Sequence, residues 1–228
     1  MHRHDLVWID PQAQWTALTL HADARLRAWV QARLPLVVAR RDPVVDGTRL
    51  RLGVPLPLSE QRQRLALQVD PDAVMRHSPP PPLMDVANAL AVSWRPALLA
   101  LQQQLQATGQ PPPRVFGSYA WQALTGLDYL HAGSDLDLLW AVQDHAEAQR
   151  ICALLQHWEQ QQARRADGEL VFSGGRAVNW REYASAASQL LVKSDAHCWL
   201  APRAAFDDPA VPSPAAPARS HRGAEHVA

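Results

Sequence analysis

Cysteine is scarce in this 228-residue sequence; Cys152 and Cys198 are the only two. That excludes a disulfide framework and any paired CxxC metal knuckle. Long apolar runs are missing as well. None approaches the ~20 residues a membrane-spanning helix needs, and the opening MHRHDLVWIDP has no signal-peptide core. A cytoplasmic protein with no membrane partner is expected. There is no excess of charge of either sign: 22 basic residues face 22 acidic ones, which argues against a nucleic-acid coat and for no nucleic-acid partner. Lysine is nearly absent. Arginine carries the positive charge, and Lys193 is the sole exception. A compact ammonium is not interchangeable with a planar guanidinium, which makes Lys193 a candidate phosphate contact. No internal repeat occurs.

What is present is 47% hydrophobic residues, enough to fill one large or two small cores. Residues 1–80 hold eleven arginines against eight acids, and residues 115–206 hold seven basic residues against ten acids. Apolar alternation in DLVWID, PLVVARR, RLRLGVPLP and RLALQVD predicts strands, and Leu18 to Leu34 has helical spacing, giving a β-α-β-β-β front segment. Four prolines, 79–82, then end that segment. They can join neither a helix nor a central strand, so they mark a boundary between a small α+β domain over 1–80 and a second domain over 84–206. The second domain is predicted to open on one long helix, Met84–Thr108, interrupted by Pro96. Strands and helices then alternate through VFGS, DLDLLWA, a long helix over 147–164, the ELVF-SGGR-AVNWREY hairpin and QLLVKS. The class is α+β, with α/β-like alternation at the back. Residues 207–228 are rich in Pro, Ala and charge and read as a disordered tail.

One stretch, GSDLDLLW, places Asp135 and Asp137 at the mouth of an apolar strand. Side chains at i and i+2 share a strand face, so folding alone gives no reason to put two like charges there. A divalent cation removes the repulsion. Two carboxylates suit Mg²⁺, which completes its shell with water and substrate phosphates. Upstream, Gly117 and Ser118 lie where a strand passes into a helix, where backbone amides and a hydroxyl can meet an anion. A third carboxylate is expected from a neighbouring strand. Asp167 and Glu169 share one face of ADGELVF, so parity does not separate them; Glu169 is favoured because it lies inside the predicted strand.

Gly117-Ser118 followed by Asp135-Leu136-Asp137 resembles the nucleotidyltransferase superfamily of the DNA-polymerase-beta type, whose hallmark is a GS turn and then a DxD strand. Sixteen residues separate Ser118 from Asp135, more than most members have. The full string GSYAWQALTGLDYLHAGSDLDLLW, with HDLVWIDP, LPLVVARR, DGELVF…GRAVNWRE and LLVKS, is similar to one branch over residues 3–206. That branch is the phosphoribosyl-dephospho-CoA transferases, or holo-acyl-carrier-protein synthases, of malonate decarboxylase. The resemblance implies a mixed sheet flanked by helices in the second domain. It also implies transfer of the prosthetic group from triphosphoribosyl-dephospho-CoA to a serine of the apo acyl carrier subunit, with loss of pyrophosphate. Asp135, Asp137 and Glu169 would then hold Mg²⁺ or take the serine proton, and Gly117, Ser118 and Lys193 would bind phosphates. Arg40, Arg41, Arg62 and Arg64 are candidates to grip the donor or dock the carrier, and His131 is a candidate donor contact. The citrate lyase carrier is an alternative acceptor, as are a small molecule or another protein; a non-catalytic carrier-binding module is a further reading.

Overall fold

Apolar alternation over the first eighty positions builds one antiparallel sheet in the computed structural model, which describes residues 1–206. Its elements in chain order are β1 (Leu6–Ile9), β2 (Trp15–Ala17), α1 (Asp23–Gln31), β3 (Leu36–Val38), α2 (Pro43–Asp46), β4 (Leu50–Pro55), β5 (Arg64–Val69) and β6 (Val74–Ser78). The strands lie in the order β2-β5-β4-β3-β1-β6. One face is covered by α1, whose Leu26, Trp29 and Val30 are buried against Val7, Leu36, Leu52 and Leu67. Trp29 satisfies its indole N–H by donating to the Pro35 carbonyl at 2.9 Å.

Two expectations need correction in this half. The helix predicted over Leu18–Leu34 is confined to Asp23–Gln31, and Trp15–Ala17 forms an edge strand. Val74–Ser78, where the sequence pattern predicts no strand, pairs with β1. Its alternation is masked by Arg76 and His77, which are exposed on an edge where charge opposes aggregation.

The second half comprises α3 (Leu83–Ala89), α4 (Arg95–Thr108), β7 (Arg114–Phe116), α5 (Gly117–Thr125), β8 (Leu136–Ala141), α6 (His145–Gln162), β9 (Ala166–Phe172), β10 (Arg176–Asn179), α7 (Trp180–Ala184), β11 (Gln189–Lys193) and β12 (Cys198–Pro202). The fold class is α+β. The second sheet runs β12-β11-β10-β9-β8-β7, and only β8 and β9 pair in parallel. A parallel neighbour requires a long crossover, and α6 supplies it. Asp144 caps α6 through the Glu147 amide (2.7 Å), while Glu147 accepts from the Gln143 amide (2.7 Å).

The long helix predicted over 84–108 is two helices. Pro96 lies in the first turn of α4, where its missing N–H costs no hydrogen bond, and the chain bends between Leu90 and Trp94. β12 is likewise absent from the sequence prediction and pairs with β11. The proline runs lie side by side: the Val115 amide donates to the Pro81 carbonyl (2.8 Å) and the Leu83 amide to the Pro113 carbonyl (3.2 Å). Prolines cannot donate, so their carbonyls serve here as acceptors for β7 and α3. The expected tail, 207–228, lies outside the described residues.

The larger core joins α3, α4, α6 and α7 to one face of the second sheet, with Trp140, Trp158 and Trp180 buried in it. The smaller core is completed from the second half, because Trp121 of α5 and Tyr129 after it pack into the first sheet's cluster. Tyr129 donates its hydroxyl to the Pro55 carbonyl at 2.8 Å. Gln122 accepts from the Tyr129 and Leu130 amides (3.0 and 2.9 Å) and so pins the loop they belong to. The unusually long GS-to-DxD spacing is therefore the segment on which the two sheets meet.

Candidate active site

Along β8, Leu136 and Leu138 are buried in the larger core, and Asp137 points to the opposite face. Antiparallel pairing sets Asp137 opposite Phe116 at the end of β7. There the chain turns into α5 through Gly117, whose φ is +64°. The Asp137 carboxylate rests directly on the Gly117 α-carbon: a Cβ at that position would lie 2.6 Å from the Asp137 carboxyl carbon. The glycine thus answers two demands at once, left-handed backbone and contact with a side chain that no Cβ permits. Ser118 follows in the first turn of α5, half-buried beside the same corner.

Asp135 precedes β8 by one residue and lies 3.4 Å from the Arg165 guanidinium. Across the sheet, parallel register sets Asp167 level with Asp137, with α-carbons about 4.8 Å apart as in any neighbouring strands. Asp167 is fixed through Oδ1, which accepts from the Gly168 amide (2.8 Å) and from Asn179 Nδ2 (2.7 Å). The same Asn179 caps α7 with its Oδ1, which accepts from the Arg181 and Glu182 amides. Burial, reinforced by the charges of Asp167 and Asp135 and opposed by Arg64, pushes the Asp137 carboxyl up to about 7.

Glu169, favoured from sequence as the third carboxylate, is engaged elsewhere. It is level with Leu139, not Asp137. It is 5% exposed, ion-paired to Arg3, 3.1 Å from Lys193 Nζ and 3.5 Å from His4 Nε2. Burial alone would raise its pKa; His4, Arg3 and Lys193 reverse this and hold the carboxyl at about 2. Lys193, expected to touch phosphate, is the partner of this glutamate. Together they line a cavity of about 290 Å³ with Arg3, His4, Pro80 and Leu139, two residues farther along the same sheet face than the aspartates. Arg40 and Arg41 are exposed after β3. Arg41 donates its amide to the Asp195 carbonyl (2.9 Å) at the β11–β12 turn, on the side of this cavity. Arg62 reaches His131, with Nη1 3.0 Å from Nε2.

Among the described residues no group of three or more His, Cys, Asp or Glu side chains is disposed to hold a metal ion by itself. The donor set nonetheless fits Mg²⁺. That ion needs only one or two carboxylates and draws its other ligands from water and phosphate, and Asp137 shares this corner with the carboxylates of Asp135 and Asp167, whose charges push its own pKa up. Asn179 and Arg165 carry no local sequence signal. Asp167 is equivalent to Glu169 by parity, and only the β8–β9 register sets it beside Asp137.

Residues 82–204 match the family model for the phosphoribosyl-dephospho-CoA transferase MdcG C-terminal domain, and residues 2–80 match that for the N-terminal domain of the same family. The chain belongs to the MdcG family. It is 52% identical over 204 residues to a phosphoribosyl-dephospho-CoA transferase of Xanthomonas euvesicatoria pv. vesicatoria, covering 90% of this chain and 95% of that protein. Similar proteins of the same name occur in Bradyrhizobium diazoefficiens, 40% identical over 84% of this chain and 86% of that one, and in Azotobacter vinelandii, 32% identical over 84% and 88%. No solved structure matches the chain. No helix among the described residues is long and apolar enough to cross a membrane.

In this MdcG-family chain the Gly117 contact makes a direct prediction. Gly117→Ala is expected to push the Asp137 carboxylate off the corner and to lower transferase activity by about 10²-fold, while the buried cores around it keep the fold. A steady-state assay alongside a melting curve checks this; activity within twofold of the parent, about 0.4 kcal/mol in the barrier, would contradict it.

The two perturbed carboxyls also predict how stability changes with pH. Folded Asp137 titrates at about 7 and the unfolded side chain near its ordinary 3.8, so between those values the folded chain holds a proton that the unfolded chain has released. Stability therefore falls as pH rises through that window. Glu169 acts oppositely: with a folded value of about 2 against 4.5, its contribution is complete above about 4.5 and is lost as pH falls toward 2. Thermal melting of the metal-free chain is expected to show decreasing midpoints from about pH 5 to about pH 7, a slope that Asp137→Asn removes. A slope unchanged in that variant would rule out Asp137 as its source.

Proposed function

We propose that the chain transfers the 2′-(5″-phosphoribosyl)-3′-dephospho-CoA group from its triphosphoribosyl donor to a serine of the apo acyl carrier subunit of malonate decarboxylase, releasing pyrophosphate. The observation that carries this reading is the packing of Asp137 on the Gly117–Ser118 corner, with Asp135 beside it and Asp167 level across the sheet. In the reaction the carrier's serine oxygen bonds to the donor's α-phosphorus, the bond from that phosphorus to the pyrophosphate oxygen breaks, and the serine proton must be accepted. Mg²⁺, held by Asp135 and Asp137, would supply positive charge against the triphosphate and the departing pyrophosphate.

The rest falls to the chain's own groups. Gly117 and Ser118 present amides and a hydroxyl at the start of α5, where the helix dipole favours phosphate. Asp167, with Oδ1 fixed by Asn179 and Gly168, offers Oδ2 to accept the serine proton. Buried Glu169, with half-buried Lys193 and Arg3, holds the chain's N-terminus against the second sheet. The test is to incubate the full chain with apo carrier, triphosphoribosyl-dephospho-CoA and Mg²⁺ and to follow the carrier by mass spectrometry. The expected result is a mass gain equal to the phosphoribosyl-dephospho-CoA group, abolished by EDTA. A carrier that stays unmodified would refute the reading.

A further inference from the structure

The first half of the chain brings arginines to the acidic corner. The connection between β4 and β5 lies against the loop that enters β8, since the Leu58 amide donates to the Asp128 carbonyl (2.8 Å) and the Tyr129 hydroxyl to the Pro55 carbonyl (2.8 Å). In that connection two successive non-glycine residues, Gln61 and Arg62, are left-handed, with φ of +57° and +53°. Such backbone is disfavoured and persists only where its surroundings hold it. Here it delivers Arg62 to His131, four residues before Asp135. Arg64 follows as the first residue of β5; it is exposed and in register with Pro55, whose carbonyl accepts from Tyr129, and its positive charge opposes the burial that raises the Asp137 carboxyl.

A guanidinium can only donate, so Arg62 donates to His131 Nε2 at 3.0 Å, which orients the guanidinium and leaves its remaining N–H groups to meet an anionic oxygen. Neither Arg62 nor Arg64 is ion-paired to an acid among the described residues. Several cations of the second half are committed elsewhere: Lys193 to Glu169, Arg181 to Glu159, Arg114 to the Pro80 carbonyl and Arg203 to the Ala187 and Tyr183 carbonyls, while Arg165 is engaged by Asp135 at the corner itself. Three carboxylates at the corner would repel a polyphosphate, and a guanidinium pair opposite them offsets that repulsion.

We infer that Arg62 and Arg64, with His131 orienting Arg62, form a polyphosphate-binding site, contributed mainly by the N-terminal domain, that receives the donor's triphosphate and holds the pyrophosphate as it leaves. The inference rests on the reading of the site as one that takes a triphosphate-bearing donor. It makes the N-terminal domain part of the chemical site.

The experiment titrates the full chain with inorganic tripolyphosphate in Mg²⁺, and separately with dephospho-CoA, by calorimetry. The parent is compared with an Arg62→Gln/Arg64→Gln double variant and with Arg64→Lys. The double variant is expected to lose about tenfold or more in tripolyphosphate affinity and to raise the donor KM comparably, with dephospho-CoA affinity held within about twofold and Arg64→Lys between the two. Both side chains are on the surface, so an unshifted melting midpoint verifies the fold. Unchanged tripolyphosphate affinity would overturn the inference, as would a rise in KM for the carrier alone, which would make these arginines a docking surface. If the transferase reading itself is wrong, the parent modifies no carrier, yet the tripolyphosphate titration still reports on the arginines.

Discussion

Asp137→Asn is expected to reduce carrier modification by about 10³-fold, the upper end of what losing one preorganised electrostatic group at a reaction centre costs. The substitution keeps shape and removes the charge, and the side chain it replaces is pressed on Gly117, so the corner stays formed. Asp167→Asn is expected to fall in the same range, because that side chain stands level with Asp137 and is aimed by Asn179. Glu169→Gln should behave differently: its loss uncouples Arg3 and Lys193 and lowers the melting midpoint more than it lowers the rate. Single-turnover transfer followed by carrier mass, with melting curves on each variant, separates the two patterns. If Glu169→Gln abolished turnover while Asp167→Asn left it intact, the third carboxylate would be Glu169 after all.

Gly168→Ala is the substitution expected to damage the fold most. Gly168 has φ of +137°, a region that residues with a Cβ avoid, and it packs face-on against β8. An added Cβ would lie 2.7 Å from the Leu138 carbonyl carbon and backbone nitrogen, so no side-chain adjustment relieves it. The parallel strands must separate, and their separation moves Asp167 away from Asp137. A destabilisation of roughly 3–4 kcal/mol follows from strain of this kind in a buried strand pair. For a chain of this length that corresponds to a melting midpoint lowered by roughly 10 °C. A midpoint shift of less than about 2 °C would show that β8 and β9 can accommodate the methyl group.

Much of the site can be read from the chain itself because its signals are local. Two aspartates one residue apart at the mouth of an apolar strand, and a glycine and serine at a strand-to-helix junction, depend only on the alternation of strand side chains and the polarity of a helix end. The α+β class follows from local periodicity in the same way. Pro96 shows how a local signal is misplaced by a few residues: proline interrupts a helix, but it is also at home in a first turn, and here it begins α4.

What the tertiary structure decided is everything that depends on register between distant segments. Asp167 and Glu169 are equivalent by parity, and only the pairing of β8 with β9 places one beside Asp137 and leaves the other to Arg3, His4 and Lys193. Arg62 and Arg64 are ordinary edge-strand charges by sequence; they come beside the loop that enters β8, where Arg62 meets His131, because Trp121, Tyr129 and the Leu58 amide fasten the two sheets together. A short stretch of chain specifies which groups share a face. Which faces meet is set by the burial of apolar surface between segments far apart in sequence, and that is settled only when the whole chain packs.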